Sequence, residues 1–222
     1  MKMKRLLALA VVILPWTLKR WALQRFWGYQ LADTARIGLS YVFPGELVMA
    51  ERAFIGHFNV AIHLGRLECG EHSIINRSNW ITGHSPDGAH FTHRADRDPT
   101  LVVGAHAAIT KSHIIDCTDR VEIGDYTTLA GYHSQLITHG INVADGRQDC
   151  KPIRIGAYCL IGTRVTVLGG AALPDRCVLG AASVLNKAHT EELSLYAGQP
   201  AVRIKALSAD SRYFTRERGF VH

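Results

Sequence analysis

The sequence predicts an all-β fold, a solenoid of short parallel strands, and three observations carry that prediction. First, Ile155, Ile161, Val167, Leu173, Leu179 and Leu185 stand six residues apart without a break. Second, glycine follows the aliphatic residue at Gly156, Gly162 and Gly180, and small residues hold the fifth slot at Val165, Ala171 and Ser183. Third, an aliphatic-x-aliphatic-Gly phrase recurs at residues 35–38, 53–56, 67–70, 101–104, 121–124 and 153–156. A period of six is neither the helical 3.6 nor the alternating 2. A fixed repeat of supersecondary units marks a solenoid, in which an inward aliphatic side chain fills the axis and a small residue lets the chain turn. Eighteen residues separate Ile37 from Ile55, or three hexapeptides per coil, so the expected section is a triangle. Ordinary hairpins would need tight turns of the Asn-Gly kind between alternating strands, and no Asn-Gly occurs.

The elements follow in order. Residues 1–34 precede the repeat. They hold Lys2, Lys4, Arg5, Lys19, Arg20 and Arg25, with no acidic residue before Asp33. The apolar run Leu6–Trp16 covers eleven residues, about 16 Å as a helix and roughly half of a bilayer core. Pro15 bends it, and Leu18, Trp21, Ala22 and Phe26 share the next helical face. Residues 15–20 offer no small-residue cleavage site of the signal-peptide kind. The segment is expected to be a helix pair on an anionic membrane surface; a cap over the open end of the solenoid is the competing reading. Residues 35–190 carry the repeats, interrupted by polar stretches at 84–100 and 138–152, which should project as loops. Residues 191–222 form an extension, expected to include a short helix.

The net charge is +6, with 25 basic against 19 acidic residues, and the six basic residues before Asp33 account for the whole excess. That distribution argues against a general nucleic-acid surface. The five cysteines, Cys69, Cys117, Cys150, Cys159 and Cys177, are odd in number and form no C-x-x-C pair, so they are expected to be reduced core or corner residues.

From Val121 to about Leu207 the chain resembles the hexapeptide-repeat acyltransferases, most of all the galactoside/maltose and colanic-acid O-acetyltransferases. The likeness rests on pieces that coincide in order: Ile137-Thr138-His139-Gly140, then Lys151-Pro152-Ile153-Arg154-Ile155-Gly156, the repeats, Gly180–Lys187, and Ala197-Gly198-Gln199-Pro200-Ala201. The resemblance implies a left-handed parallel β-helix, a homotrimer with its sites between subunits, and transfer of an acyl group from an acyl-coenzyme A such as acetyl-coenzyme A. It implies that His139 is the catalytic base. The chemistry wants such a residue, because a sugar hydroxyl is a poor nucleophile at neutral pH and an imidazole can take its proton.

What orients His139 is open between Asp145, Asp149 and a backbone carbonyl. Thr110 falls where the galactoside branch has an acceptor-site Asn, with Ser112 and His113 beside it; with Asp145 these are the acceptor-site candidates. For coenzyme A, Thr163 and Ala181 match positions that meet the pantetheine arm, and Lys187 matches a basic residue near the cofactor. The usual Asn-Pro-Ala-Arg is here Gln199-Pro200-Ala201-Val202, which leaves Arg203 and Lys205 for the phosphates.

The expected function is O-acetylation of a sugar in a polysaccharide or glycolipid precursor. The expected place is the inner face of the bacterial cytoplasmic membrane, by peripheral or monotopic attachment. N-acylation of an amino-sugar nucleotide is the alternative. A zinc hydratase or a non-catalytic solenoid would be a different class. His84, His90 and His93 with Asp87, Asp96 and Asp98 are the residues a metal would use, and no metal is expected there.

Overall fold

The computed structural model describes residues 2–85, 89–219 and 221. The expected period appears directly as strand register. Ile37 pairs with Ile55, Ile55 with Ile75, and Ile161 with Leu179, all in parallel. The strands form three parallel faces along a left-handed prism. The first face runs from Gln30–Leu31 to Ala172–Leu173, the second begins at Arg36–Ile37, and the third runs from Tyr41–Phe43 to Val184–Leu185. Each coil visits the three faces in turn. Among the described residues seven such coils stack, the first already starting at Gln30.

The axis is filled by inward residues of the repeat. Ile55, Ile75, Ile109, Ile123, Leu129, Ile161 and Leu179 are all buried. Burying one such side chain is worth about 1.5–3 kcal/mol, and the stack repeats that gain coil by coil. Val165, Ala171 and Ser183 are buried at the corners, as their size demands. The repeat glycines serve close approach rather than an unusual backbone. A Cβ on Gly124 would lie 2.6 Å from the amide nitrogen of Ala157 in the next coil. The left-handed corner conformation falls instead on residues with side chains, among them His72, His106, Tyr126 and Tyr158 (φ 55–58°). Their rings stack at 4.6–4.7 Å along one edge, and cross-coil stacking offsets the backbone cost. All five thiols are buried and unpaired.

Two helices precede the coils, α1 (Lys2–Val12) and α2 (Trp16–Trp27), bent at Pro15. They close the open end of the prism: Val11, Ala22 and Leu23 join the same core as Leu31 and Ile37. Lys19 is buried against expectation, its ammonium bonding the carbonyls of Gly38 (2.6 Å) and Val12 (3.3 Å). Burial pushes its pKa down to about 8. Arg20 pairs with Asp33 at 2.5 Å. These two bases are therefore structural clasps, because carbonyls of the first coil, at Leu31 and Gly38, and of the end of α1 need donors. The outer side of the cap still exposes Leu6, Leu9, Ile13, Leu18, Trp21 and Phe26, with Arg25 exposed beside them. The side chains of Lys2, Lys4 and Arg5 lie outside the described residues. No helix among the described residues is long and apolar enough to cross a membrane.

Among the described residues the extension forms no C-terminal helix, contrary to expectation. Ser194–Gly198 and Ala201–Ala206 make an antiparallel hairpin that continues the second face. Its first strand pairs with Val178–Leu179. The last coil would otherwise end in an open parallel edge, and a hairpin supplies the backbone partners that a helix cannot. The sequence favours it, since Leu195, Val202 and Ile204 suit strands.

Candidate functional site

The second polar stretch is a hairpin rather than an irregular loop, with His139–Asn142 pairing antiparallel to Arg147–Cys150. It leaves the prism just after the third-face strand Gln135–Ile137. The first stretch folds down on it. His93 donates from Nε2 to the carbonyl of Gln148 at 2.8 Å, and Arg94 reaches the Cys150 carbonyl at 2.7 Å and pairs with Asp149. A cleft of about 430 Å³ opens along the hairpin, lined in part by Thr138, His139, Asp149, Lys151 and Leu168.

His139 sits in this wall, and the residue that orients it is Asp116. His139 Nδ1 lies 2.8 Å from Asp116 Oδ2. The carboxylate also accepts from the Thr138 amide (2.9 Å), the Thr138 hydroxyl (2.7 Å) and the His139 amide (3.0 Å), and its other oxygen accepts from Thr118 (2.7 Å). Asp116 is only 4% exposed. Burial alone would raise its pKa, but the bonds from His139, Thr138 and Thr118 outweigh it and hold the carboxyl at about 2. The bond to Asp116 raises the pKa of His139 against a smaller opposing effect of burial. Because Nδ1–H donates to the carboxylate, the lone pair of His139 is on Nε2.

Asp116 was missed in the sequence, where Asp145 and Asp149 stood closer to His139. Asp145 is exposed at the hairpin tip, accepting from Asn142 at 2.6 Å, and Asp149 is taken by Arg94. The signal lay in the register: Asp116 pairs with Ile137 across adjacent coils, so the chain turning out at Thr138 and His139 passes directly over it.

The acceptor candidates do not meet His139 within the chain. Thr110, Ser112 and His113 lie where the second face turns into the third, whereas His139 lies beyond the far end of the third. His113 is fully buried, and burial first, His133 second, push its pKa down to about 4. Its Nδ1 accepts from the Ser134 amide (3.1 Å), so Nε2 carries the proton and donates to Thr110 Oγ1 at 3.0 Å. Thr110 bonds the carbonyls of Leu129 and Gly131 as well. Both are corner-stabilising groups with little left to offer a ligand.

Thr163 and Ala181 lie on that same second-to-third edge, one and two coils beyond the coil of His139, Thr163 half-buried and Ala181 exposed. Thr163 Oγ1 bonds the backbone of Tyr132. Lys187 is exposed just past the last third-face strand, and Lys205 is exposed on the end hairpin opposite Leu195. Arg203 is engaged instead, with Ser194 at 2.9 Å and Glu191 at 3.0 Å.

The residues named for a metal scatter. His93 turns to Gln148, Asp96 to Arg94, and Asp98 to Arg120. Asp87 lies outside the described residues. Only His84 and His90 approach, with ring centroids 5.7 Å apart. Among the described residues no three potential ligands gather.

No family model matches the chain. It is 28% identical over 192 residues to a Mycobacterium tuberculosis protein named a probable acetyltransferase, covering 86% of this chain and 58% of that protein. It is 30% identical over 132 residues to a UDP-3-O-acylglucosamine N-acyltransferase of Bordetella pertussis, covering 59% of this chain and 34% of that protein. The chain thus spans less than two thirds of the length of these curated relatives. A hexapeptide-repeat-containing acetyltransferase of Vibrio cholerae, solved with acetyl coenzyme A, superposes with a TM-score of 0.51 at 23% identity, over 63% of this chain and 70% of that one.

Proposed function

We propose that the chain is a hexapeptide-repeat acyltransferase, an acyl-coenzyme A-dependent O-acetyltransferase acting on a sugar hydroxyl. The observation that carries this reading is the Asp116–His139 pair, which leaves Nε2 of an oriented imidazole as an acceptor in the wall of a cleft. In the proposed reaction Nε2 takes the proton of the acceptor hydroxyl as its oxygen attacks the thioester carbonyl. The tetrahedral intermediate collapses, the C–S bond breaks, and the imidazolium returns its proton to the departing thiolate. Asp116 keeps Nδ1 protonated throughout and stabilises the transient imidazolium. The acetyl-coenzyme A in the Vibrio structure and the name of the mycobacterial relative support this class of donor and transfer.

A second copy completes the site in this reading. Thr163 and Ala181 stand on one edge of the prism and His139 beyond another, with the third face between them. A thioester on the first edge is therefore attacked from the His139 hairpin of a neighbouring subunit, as in a homotrimer. The acceptor we favour is a polysaccharide or glycolipid precursor. N-acylation of an amino-sugar nucleotide is the second reading, favoured by the Bordetella relative. Incubation with acetyl-coenzyme A and a panel of glycans and amino-sugar nucleotides, read by mass spectrometry, tests both. An acetyl group lost under mild alkali is an ester; one that survives is an amide, and no transfer to any member defeats both readings.

Lys205 is proposed to meet the coenzyme phosphates. Lys205→Ala is expected to raise the apparent KM for acetyl-coenzyme A and to reduce discrimination against the donor lacking the 3′-phosphate. Unchanged discrimination between the two donors removes Lys205 from that contact.

The cap is proposed to rest on the cytoplasmic membrane face through the apolar residues it leaves exposed. Deleting residues 1–28 would also uncover the core around Leu31 and Ile37, so point substitutions are the cleaner test. Leu18→Glu with Trp21→Glu is expected to abolish flotation with anionic vesicles while leaving the melting temperature within a few degrees of the parent. The intact chain should bind less at high salt yet keep a residual apolar affinity. A parent chain that does not float leaves the helices as an end cap only.

A further inference from the structure

His84 has no part in the steps above, yet its ring stands nearly perpendicular to that of His139, at 85° with centroids 5.4 Å apart. Phe91 packs on it at 5.2 Å and His90 at 5.7 Å. Its backbone is tied to the same carboxylate as the base. The His84 amide donates to Thr118 Oγ1 at 3.3 Å, and that hydroxyl donates to Asp116 Oδ1 at 2.7 Å. Arg97 fastens the other side, bonding the carbonyls of His84 (2.7 Å) and Thr118 (3.2 Å) while lying 5.0 Å over the ring of Phe91. The cleft lining comes from residues 137–142, 149–151 and 168–169, so His84 meets His139 from outside that wall.

We propose that His84 is a positioning residue for the base: it backs the imidazole of His139, fixes its ring plane together with Asp116, and keeps water from the ring on the side away from the cleft. The proposal rests on the reading of His139 as the base. Among the described residues, the charged and titratable groups around the pair are accounted for. Asp116 holds His139 Nδ1, Arg97 is bound to carbonyls, Asp149 is paired with Arg94, Lys151 lines the cleft, and the His90 ring lies edge-on to His84. Burial first, and His139 second, hold the pKa of His84 below its ordinary value. Near neutrality it is thus a neutral ring and does not compete for the catalytic proton. Without it, water would reach His139, stabilise the imidazolium, and shrink the fraction present as free base.

The test is a titration of His139 by NMR in the free chain, followed by the pH dependence of kcat/KM. His84→Ala and His84→Gln are expected to raise the His139 titration by about half a unit, and the acid limb of the rate profile with it. His84→Phe, which restores an aromatic backing, is expected to keep the parental midpoint. Two non-aromatic variants guard against one that fails to fold. The proposal is overturned if either folded variant leaves the His139 titration in place, or if Phe shifts it as far as Ala does. The NMR titration needs no acceptor, so it reads the effect of His84 on His139 separately from the base reading, which the turnover of His139→Ala decides.

Discussion

Replacing His139 with alanine is expected to slow acetyl transfer by about 10²–10⁴ while leaving the prism folded and the donor bound. The range follows from general-base catalysis. Without the imidazole, water must take the hydroxyl proton, and the thiolate departs without a poised acid. The fold should tolerate the change because His139 is part-buried at the root of an excursion and fills no axial slot. Single-turnover rates with a saturating acceptor, compared with donor affinity by calorimetry, separate chemistry from binding. Wild-type turnover in the mutant would sink the proposed mechanism. The rate should also report the charge state of the base. Since Asp116 raises the pKa of His139, the acid limb of kcat/KM is expected above pH 6.5, the ordinary imidazole value. The sign for stability follows from the same shift. A raised folded-state pKa contributes stability that is fully present below about pH 6.5 and lost as the pH rises through the folded value.

Replacing Asp116 with asparagine is expected to cost about 10²-fold or more in kcat, by a different route. The amide keeps the shape but loses the charge, and it offers a donor where Thr118, Thr138 and His139 all donate. His139 then loses the partner that fixes its tautomer. Its pKa should fall, so the acid limb moves to lower pH while the plateau drops. A pure loss of folding would lower the amplitude and leave the limb in place, so the profile distinguishes the two. Asp116 also makes a stability prediction of opposite sign to that of His139. Its depressed pKa contributes stability present above the unfolded carboxyl value, near 3.9, and lost as the pH falls toward about 2. The parent chain should therefore lose stability across that acid window, and Asp116→Asn should lose less of it. Equal acid sensitivity in thermal melts from pH 5 to pH 2 would contradict this account.

How much was legible beforehand differs between the fold and the site. The hexapeptide period determined the prism, its three faces, the inward residues and the buried corners, because each coil repeats the same local problem. One aliphatic side chain must fill the axis and one small residue must turn the chain. The order of motifs pointed to His139 without any structure. The tertiary structure alone decided what lies across coils. Asp116 stands 23 residues from His139 along the chain, and only parallel register sets it beneath that ring. His84 arrives from a polar excursion with no period to announce it. Lys19 and Arg20 read as membrane-facing bases in the sequence, yet the carbonyls of Gly38 and Leu31 in the first coil drew them inward. The extension read as helical, but the unpaired edge of the second face drew it into strands. The common reason is that periodicity records side chains facing a repeated environment. A hydrogen bond between coils, a docked excursion or a satisfied edge depends on which distant groups are left without partners, and that is settled only when the coils stack.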